Sequence, residues 1–399
     1  MKKHRILFIV ENAAVPQDIR VWREARTLKQ AGYDVTVISP KNKNFPKNYE
    51  MIDGIEIYRH PSFNGKGGKL HQIMEYTNAL FWEVILGLNV FLKNRSVIIH
   101  GANPPDHIFL LALAFNIFDV KFIFDHHDLA PELFYSKYNA RKKAIFRLLN
   151  LMEKLSCSIA HAVISSNLSY KKHIIHKHGI NPDKIFVVRN DPELSRNSKS
   201  VNYKRYGDHE ITELLYVGSI NNQDGVDLLI KTMEILVNQL DETRMHCTVI
   251  GDGDDLPRVK KLCAELRMEP YFRFTGYIHD RKRVQNFIEE ADICVETAPK
   301  TAANSKSTFI KIMEYMSAGK PIVAFDMDET RYSTQESALL IEPGNLTQFA
   351  QEIVRLSKDT DLQKRLGEYG IERIAKSLNW ENSAIELLRA YNYLFKNPD

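Results

Sequence analysis

The sequence predicts an α/β protein built from two doubly wound domains in tandem. A strand, helix, strand unit stands near the N-terminus, the same unit returns about two hundred residues later, and Val/Ile/Phe-rich runs follow each. "RILFIV" reads as a first strand, "DIRVWREARTLKQAG" as an amphipathic helix and "YDVTVIS" as a second strand. "ELLYVG", "GVDLLIKTMEILVNQL" and "HCTVIG" repeat the pattern. In that second helix Val226, Leu229, Ile230, Met233, Leu236 and Val237 keep i, i+3, i+4, i+7 spacing.

Further strands are expected at "SVIIHG", "KFIFDH", "HAVISS" and "IFVVRN", then at "FRFTGY", "ADICVE", "KPIVAFD" and "SALLIEP". Continuous apolar runs of this kind suit parallel strands covered by helices on both faces. The polar, aperiodic stretch "DPELSRNSKSVNYKRYGDHE" divides residues 1–195 from 196–375. A closing segment, 376–399, carries the apolar helix "WENSAIELLRAYNYLF", which is expected to cross back to the first domain.

A hydrophobic fraction of 44% with 26% charged residues is ordinary for a soluble globular chain, and a net charge of +4 is too small to indicate a nucleic-acid partner. Cys157, Cys247, Cys263 and Cys294 stand far apart without a CxxC pair, against a zinc site or a disulfide framework. A reducing cytoplasm fits. The N-terminal apolar run stops at Glu11, too short for a signal peptide, and "ALFWEVILGLNVFL" is interrupted by a glutamate, too short to span a bilayer.

In open α/β sheets ligands bind beyond the carboxyl ends of the strands, and two such domains facing each other make a cleft. Three glycine-bearing loops follow strands in the second half: "VGSINNQDGVD" with Gly218, Ser219 and Gly225; "VIGDGDDL" with Gly251 and Gly253; and "FTGYI" with Tyr277. Their backbone N–H groups suit a phosphate, although each loop alone is also an ordinary turn. None is a P-loop or a GxGxxG fingerprint, which disfavours nucleotide hydrolysis and NAD binding. In "STFIKIMEYMSAGKPIV" the helical period places Phe309, Ile312, Met313 and Met316 on a core stripe and Ser307, Lys311 and Glu314 opposite. That opposite face is either solvent, with Lys311 and Glu314 a surface pair, or a binding site.

"LLYVGSINNQDGVDLLI", "VIGDGDDL", "FTGYI" and "EYMSAGKPIVAFD", in this order, resemble the C-terminal domain of retaining GT-B glycosyltransferases of family 4, and "HHDLAPELF" resembles their first half. The likeness extends to bacterial surface-polysaccharide transferases with a "KSTxxKxxEYM"-like signature. It implies two Rossmann-like domains and transfer of a hexosyl unit from a nucleotide-sugar donor with retention of configuration, without a metal or other cofactor. UDP is the default nucleotide and a lipid-linked or oligosaccharide chain the acceptor. The glutamate at the place of Glu314 would accept hydrogen bonds from the donor ribose, a task that suits a carboxylate facing a vicinal diol.

Two departures stand out. Where many members carry a sugar-binding glutamate, this chain has Lys306, which cannot accept a hydrogen bond. Where many hold the diphosphate with an arginine and a lysine, "GSINNQDG" has no cation. The expectation is that Lys311, with Lys306, takes over that charge beside Ser307 and Thr308 at a helix N-terminus. Arg189 or Arg20 reaching across is the alternative.

In "FDHHDLAPE" the resemblance places a histidine near the transferred sugar, and His127, followed by Asp128, matches better than His126. Without it, Asp128 reads as a helix cap and the histidines as packed or solvated; adjacent histidines seldom face one ion, so no metal is expected. "ENAAVPQDIRVWRE" offers Asn12, Asp18 and Arg20 to an acceptor. The helix at 136–155 combines apolar residues with Lys137, Arg141, Lys142, Lys143, Arg147 and Lys154, the makeup of a solvated face or of a peripheral contact with the inner face of the plasma membrane. Rival readings are a sugar-nucleotide epimerase of the same fold and an inactive sugar-nucleotide-binding scaffold.

Overall fold

The computed structural model describes residues 4–62, 69–93, 97–115, 120–138, 143–193 and 210–396. It divides into two compact units, Met1–Arg189 with Ser383–Asp399, and Asn190–Asn382. The expected boundary at 195/196 lies outside the described residues.

The first unit's sheet has eight strands: β1 (Arg5–Ile9), β2 (Asp34–Pro40), β3 (Tyr49–Ile52), β4 (Ile55–His60), β5 (Val97–Ala102), β6 (Lys121–His126), β7 (Ala162–Ser165) and β8 (Ile185–Val187). Their order is β3-β4-β2-β1-β5-β6-β7-β8, parallel except for the β3–β4 hairpin. That hairpin turns at Asp53-Gly54, both with positive φ, an Asp-Gly signal that the parallel-strand reading above passes over.

The second unit's sheet has six parallel strands: β9 (Thr212–Val217), β10 (Met245–Ile250), β11 (Phe272–Gly276), β12 (Ile293–Glu296), β13 (Ile322–Phe325) and β14 (Ala338–Ile341), in the order β11-β10-β9-β12-β13-β14. Along β9, Leu214 and Tyr216 enter one hydrophobic cluster and Leu215 the cluster on the other face. Period-two alternation with both faces buried is what a parallel sheet between helix layers requires.

In each sheet the order reverses at one place, between β1 and β5 and between β9 and β12. Connections leave in opposite directions there, opening a crevice beyond the strand ends. Among the described residues no helix is long and apolar enough to cross a membrane.

The last helix, Trp380–Lys396, belongs to the first unit from Ser383 onward. Tyr391 is fully buried there, its hydroxyl 2.8 Å from His100 Nδ1, and Tyr393 packs edge-on against Phe186. Tyr391→Phe leaves a buried imidazole nitrogen without its partner. The expected cost is about 1–2 kcal/mol in urea unfolding; an unchanged midpoint would mean the bond contributes nothing.

Candidate functional site

A cavity of about 470 Å³ lies in the second unit at the carboxyl ends of β9, β10 and β11, at the strand-order reversal. Its floor is made of three loops whose backbones continue the sheet: Gly218 N–H donates to Ile250 O (2.9 Å) and Gly251 N–H to Gly276 O (3.1 Å). A Cβ at Gly251 would stand 1.8 Å from Gly218 O, so only glycine fits there.

The wall is the helix Ile310–Ser317, whose Ile312, Met313, Tyr315 and Met316 are buried. Tyr315 also joins the core stripe, and its hydroxyl accepts a hydrogen bond from Val217 N–H (2.8 Å), tying the helix to the end of β9. The helix begins at Ile310, so Ser307 and Thr308 precede it. Lys320, in the "AGKP" turn that follows, donates to Glu289 O and Ala291 O (2.7 and 2.8 Å) and caps the carbonyl end of helix Arg281–Glu290.

Two ion pairs shape the cavity. Lys311 Nζ is 2.8 Å from Glu296 Oε2 and 3.9 Å from the centre of the Tyr216 ring. Burial pulls the Lys311 pKa down, but Glu296 and Tyr216 outweigh it and the net shift is upward, so the ammonium stays charged. Glu296 is fully buried at the end of β12, and its other oxygen accepts a hydrogen bond from Ala298 N–H (2.8 Å). Nearer solvent, Arg281 Nη1 is 3.3 Å from Glu314 Oε1. Lys311, Arg281 and Glu314 line the cavity beside the loop backbone, an arrangement able to take a ligand that carries both anionic groups and hydroxyls.

Of the residues singled out for a donor, Gly218, Ser219, Gly251, Tyr277, Thr308, Lys311 and Glu314 line this cavity. Gly225, Gly253, Lys306 and Ser307 are not in its lining. Gly225 has a packing account: its φ is +71°, a Cβ would meet Thr297 O at 2.0 Å, and Thr297 Oγ1 donates to Gly225 O (2.8 Å). A Cβ at Gly253 would meet Ile220 O at 2.3 Å, and the Ser307 hydroxyl donates to Ala303 O (3.0 Å). Lys306 ends the 3₁₀ turn Asn304–Lys306. Sequence reasoning passed over Glu296 and over Arg281 and Asp224, which line the cavity; a glutamate closing the buried strand "ADICVE" was the available signal for the first.

In the first unit, adjacent histidines after β6 turn to different partners. His126 Nε2 meets Glu153 (2.9 Å), itself bound to Lys177 and His178. His127 Nδ1 lies 3.2 Å from Asp125 Oδ2, and the backbone N–H groups of His127 and Asp128 both donate to Asn103 Oδ1 (2.8 and 3.1 Å). Burial lowers the His127 pKa, and the charge and hydrogen bond of Asp125 more than reverse this. Burial raises the Asp128 carboxyl.

Asp18 and Arg20 do not present free groups to an acceptor as expected. Asp18 caps helix Ile19–Gln30 through Val21 N–H (3.1 Å), while Arg20 is buried, bidentate to Asp125 (3.0 and 2.8 Å) and bonded to Val188 O. Asn12 lines a separate cavity of about 200 Å³ with Glu11, Gln17 and His60.

Two doubly wound α/β units, the second with a ligand-sized crevice beyond its strand ends, have the layout of the GT-B fold. The family profile "Glycosyltransferase Family 4" matches residues 18–190 and "Glycosyl transferases group 1" matches 212–359, and the chain belongs to this family. It is similar to an uncharacterized glycosyltransferase of Methanocaldococcus jannaschii, 21% identical over 379 residues, covering 91% of this chain and 90% of that one. It is also similar to the phosphatidyl-myo-inositol mannosyltransferase of Mycobacterium leprae, 24% identical over 210 residues and about half of each chain (51% and 51%). The structure of Anabaena HepE in complex with UDP-glucose superposes with a TM-score of 0.70 at 14% identity, covering 97% of this chain and 99% of that one.

Removing one partner of a buried ion pair strands the other. Lys311→Ala should therefore cost about 3–5 kcal/mol, most of it restored in Lys311→Met/Glu296→Gln. Equal stability of the two variants by denaturant titration would refute the coupling. The charged His127–Asp125 pair contributes stability fully below pH 6.5, and loses it as pH rises through the raised His127 pKa. NMR titration should put that pKa above 6.5, and a value at or below it would dismiss the pair.

Proposed function

We propose that the protein is a retaining glycosyltransferase that moves a hexosyl unit from a UDP-sugar to a lipid-linked or glycan acceptor in cell-surface polysaccharide synthesis. The observation that carries this reading is the second unit's cavity, where Lys311 and Glu314 stand on one helix over the glycine loops. Glu314, steadied by Arg281, accepts hydrogen bonds from the ribose diol. Lys311 has three donors and spends two on Glu296 and Tyr216, leaving one for the diphosphate; Arg281 adds a second cation absent from the first loop. Ser219 and Thr308 supply neutral donors, Gly218 lets the ligand approach the loop backbone closely, and Tyr277 offers a ring to the base.

As the bond from the anomeric carbon to the diphosphate breaks, negative charge grows on the leaving oxygen and the sugar becomes cation-like. The acceptor hydroxyl attacks on the face the diphosphate leaves, and a departing phosphate oxygen takes its proton. No metal or other cofactor takes part in this scheme. Asp125 orients His127, which serves the transferred sugar, and Asn12 and Asp128 serve the acceptor.

The relatives support the substrates chosen: one is crystallised with UDP-glucose and another is named for a phosphatidylinositol acceptor. For a lipid-linked acceptor, the helix Lys143–Ile159 exposes Leu148 and Leu151 beside the exposed Arg147 and Lys154, a surface suited to an anionic inner leaflet. Arg141 and Lys142, and the side chain of Lys137, lie outside the described residues.

Calorimetry against a panel of nucleotide sugars should find one nucleotide class that binds, with Glu314→Ala weakening it about 10–100-fold for the loss of one or two charge-assisted hydrogen bonds. Lys311→Met/Glu296→Gln should fold yet bind diphosphate donors poorly; full affinity in that variant would remove Lys311 from the donor site. Slow donor hydrolysis without acceptor distinguishes a transferase from a binding scaffold, and an epimerised donor would point to the isomerase chemistry.

A further inference from the structure

We propose that the first unit binds a divalent first-row transition-metal ion between Glu11, Glu83 and His107. Glu11 follows β1 and His107 sits in the 3₁₀ turn Asp106–Ile108 that follows β5, so they meet where the order of the first sheet reverses. Glu83 comes from the helix Lys69–Lys93. One ligand atom from each of the three lies within 4.8 Å of the others, and His107 Nε2 is 3.5 Å from Glu11 Oε2. Atoms bound about 2.1 Å from a tetrahedral ion stand about 3.4 Å apart, so small side-chain adjustments close the shell.

Glu83 points to an ion more strongly than the clustering does. It is fully buried, and neither carboxylate oxygen has a hydrogen-bond partner among the described residues. A carboxyl so placed costs several kcal/mol unless something compensates it.

Two similar clusters in the same unit contain their own cation. Arg20 lies on Asp125 and Glu24 beside His100, and Lys177 lies on Glu132 and Glu153 beside His173. At Glu83 no side chain among the described residues plays that part. Glu11 also lines the cavity of about 200 Å³, through which an ion and its remaining water ligands can reach the cluster. Two carboxylates with one imidazole suit Zn²⁺ or Mn²⁺ better than the all-oxygen preference of Mg²⁺ and Ca²⁺. The ion would fasten the long helix to the ends of β1 and β5, a task separate from donor binding.

The test uses the full chain, stripped with a chelator and titrated with Zn²⁺ or Mn²⁺ by calorimetry and thermal unfolding. One equivalent should bind and raise the Tm. Glu83→Gln, which keeps shape and removes charge, should weaken binding at least about 10-fold while leaving the metal-free Tm the same or higher. Absence of binding, or binding that Glu83→Gln leaves unchanged because other histidines hold the ion, would overturn the site. Should that variant fail to fold, Glu11→Gln applies the same criterion.

Discussion

The pair between Lys311 and Glu296 fixes the second unit's crevice, because it joins the end of β12, the ring of Tyr216 on β9 and the wall helix at one buried point. Its attraction in a protein interior and the cost of drying both charges are of similar size, several kcal/mol each. The pair therefore adds little net stability. What it provides is position: an ammonium held beside loop backbone, unable to swing away as an exposed lysine would. The glycine contacts and the Tyr315 bond to Val217 act in the same sense, setting helix and loops at fixed separations.

The first unit solves a comparable problem with a larger polar core. Arg20 neutralises Asp125 and touches Glu24, His100 bridges Glu24 and Tyr391, and His127 closes on Asp125 from the solvent side. Burial and the charge of Asp125 push Glu24 up to about 8, so near neutral pH this network holds a proton that solvent does not easily remove. A histidine oriented by a carboxylate that is itself clamped by an arginine has one ring orientation and one tautomer.

Much of the layout was legible because parallel strands and amphipathic helices are written locally, in runs of apolar residues and in period 3.6. The reversal points were not, since strand order depends on pairings between distant segments. The β3–β4 hairpin was missed although Asp53-Gly54 marks it. Lys311 and Glu314 were readable from their motif, and the cavity includes both. Their partners Glu296 and Arg281 were not, because a buried charge shows its purpose only once the side chain opposite it is known. Arg20 misled for the same reason: a cation in a loop-to-helix stretch looks available until Asp125, over a hundred residues away, is seen to hold it in both arms of its guanidinium.

The bond between His100 and Tyr391 spans 291 positions of chain. During synthesis, β1 to β8 leave the ribosome well before the residue that completes their polar core. At roughly 5–20 residues per second the remaining two hundred or so residues take about 10–40 s to appear. Throughout that interval the first sheet presents an uncovered imidazole and the apolar strip that Tyr391 and Tyr393 will later occupy. The first unit therefore reaches its final form only after the second unit has been made.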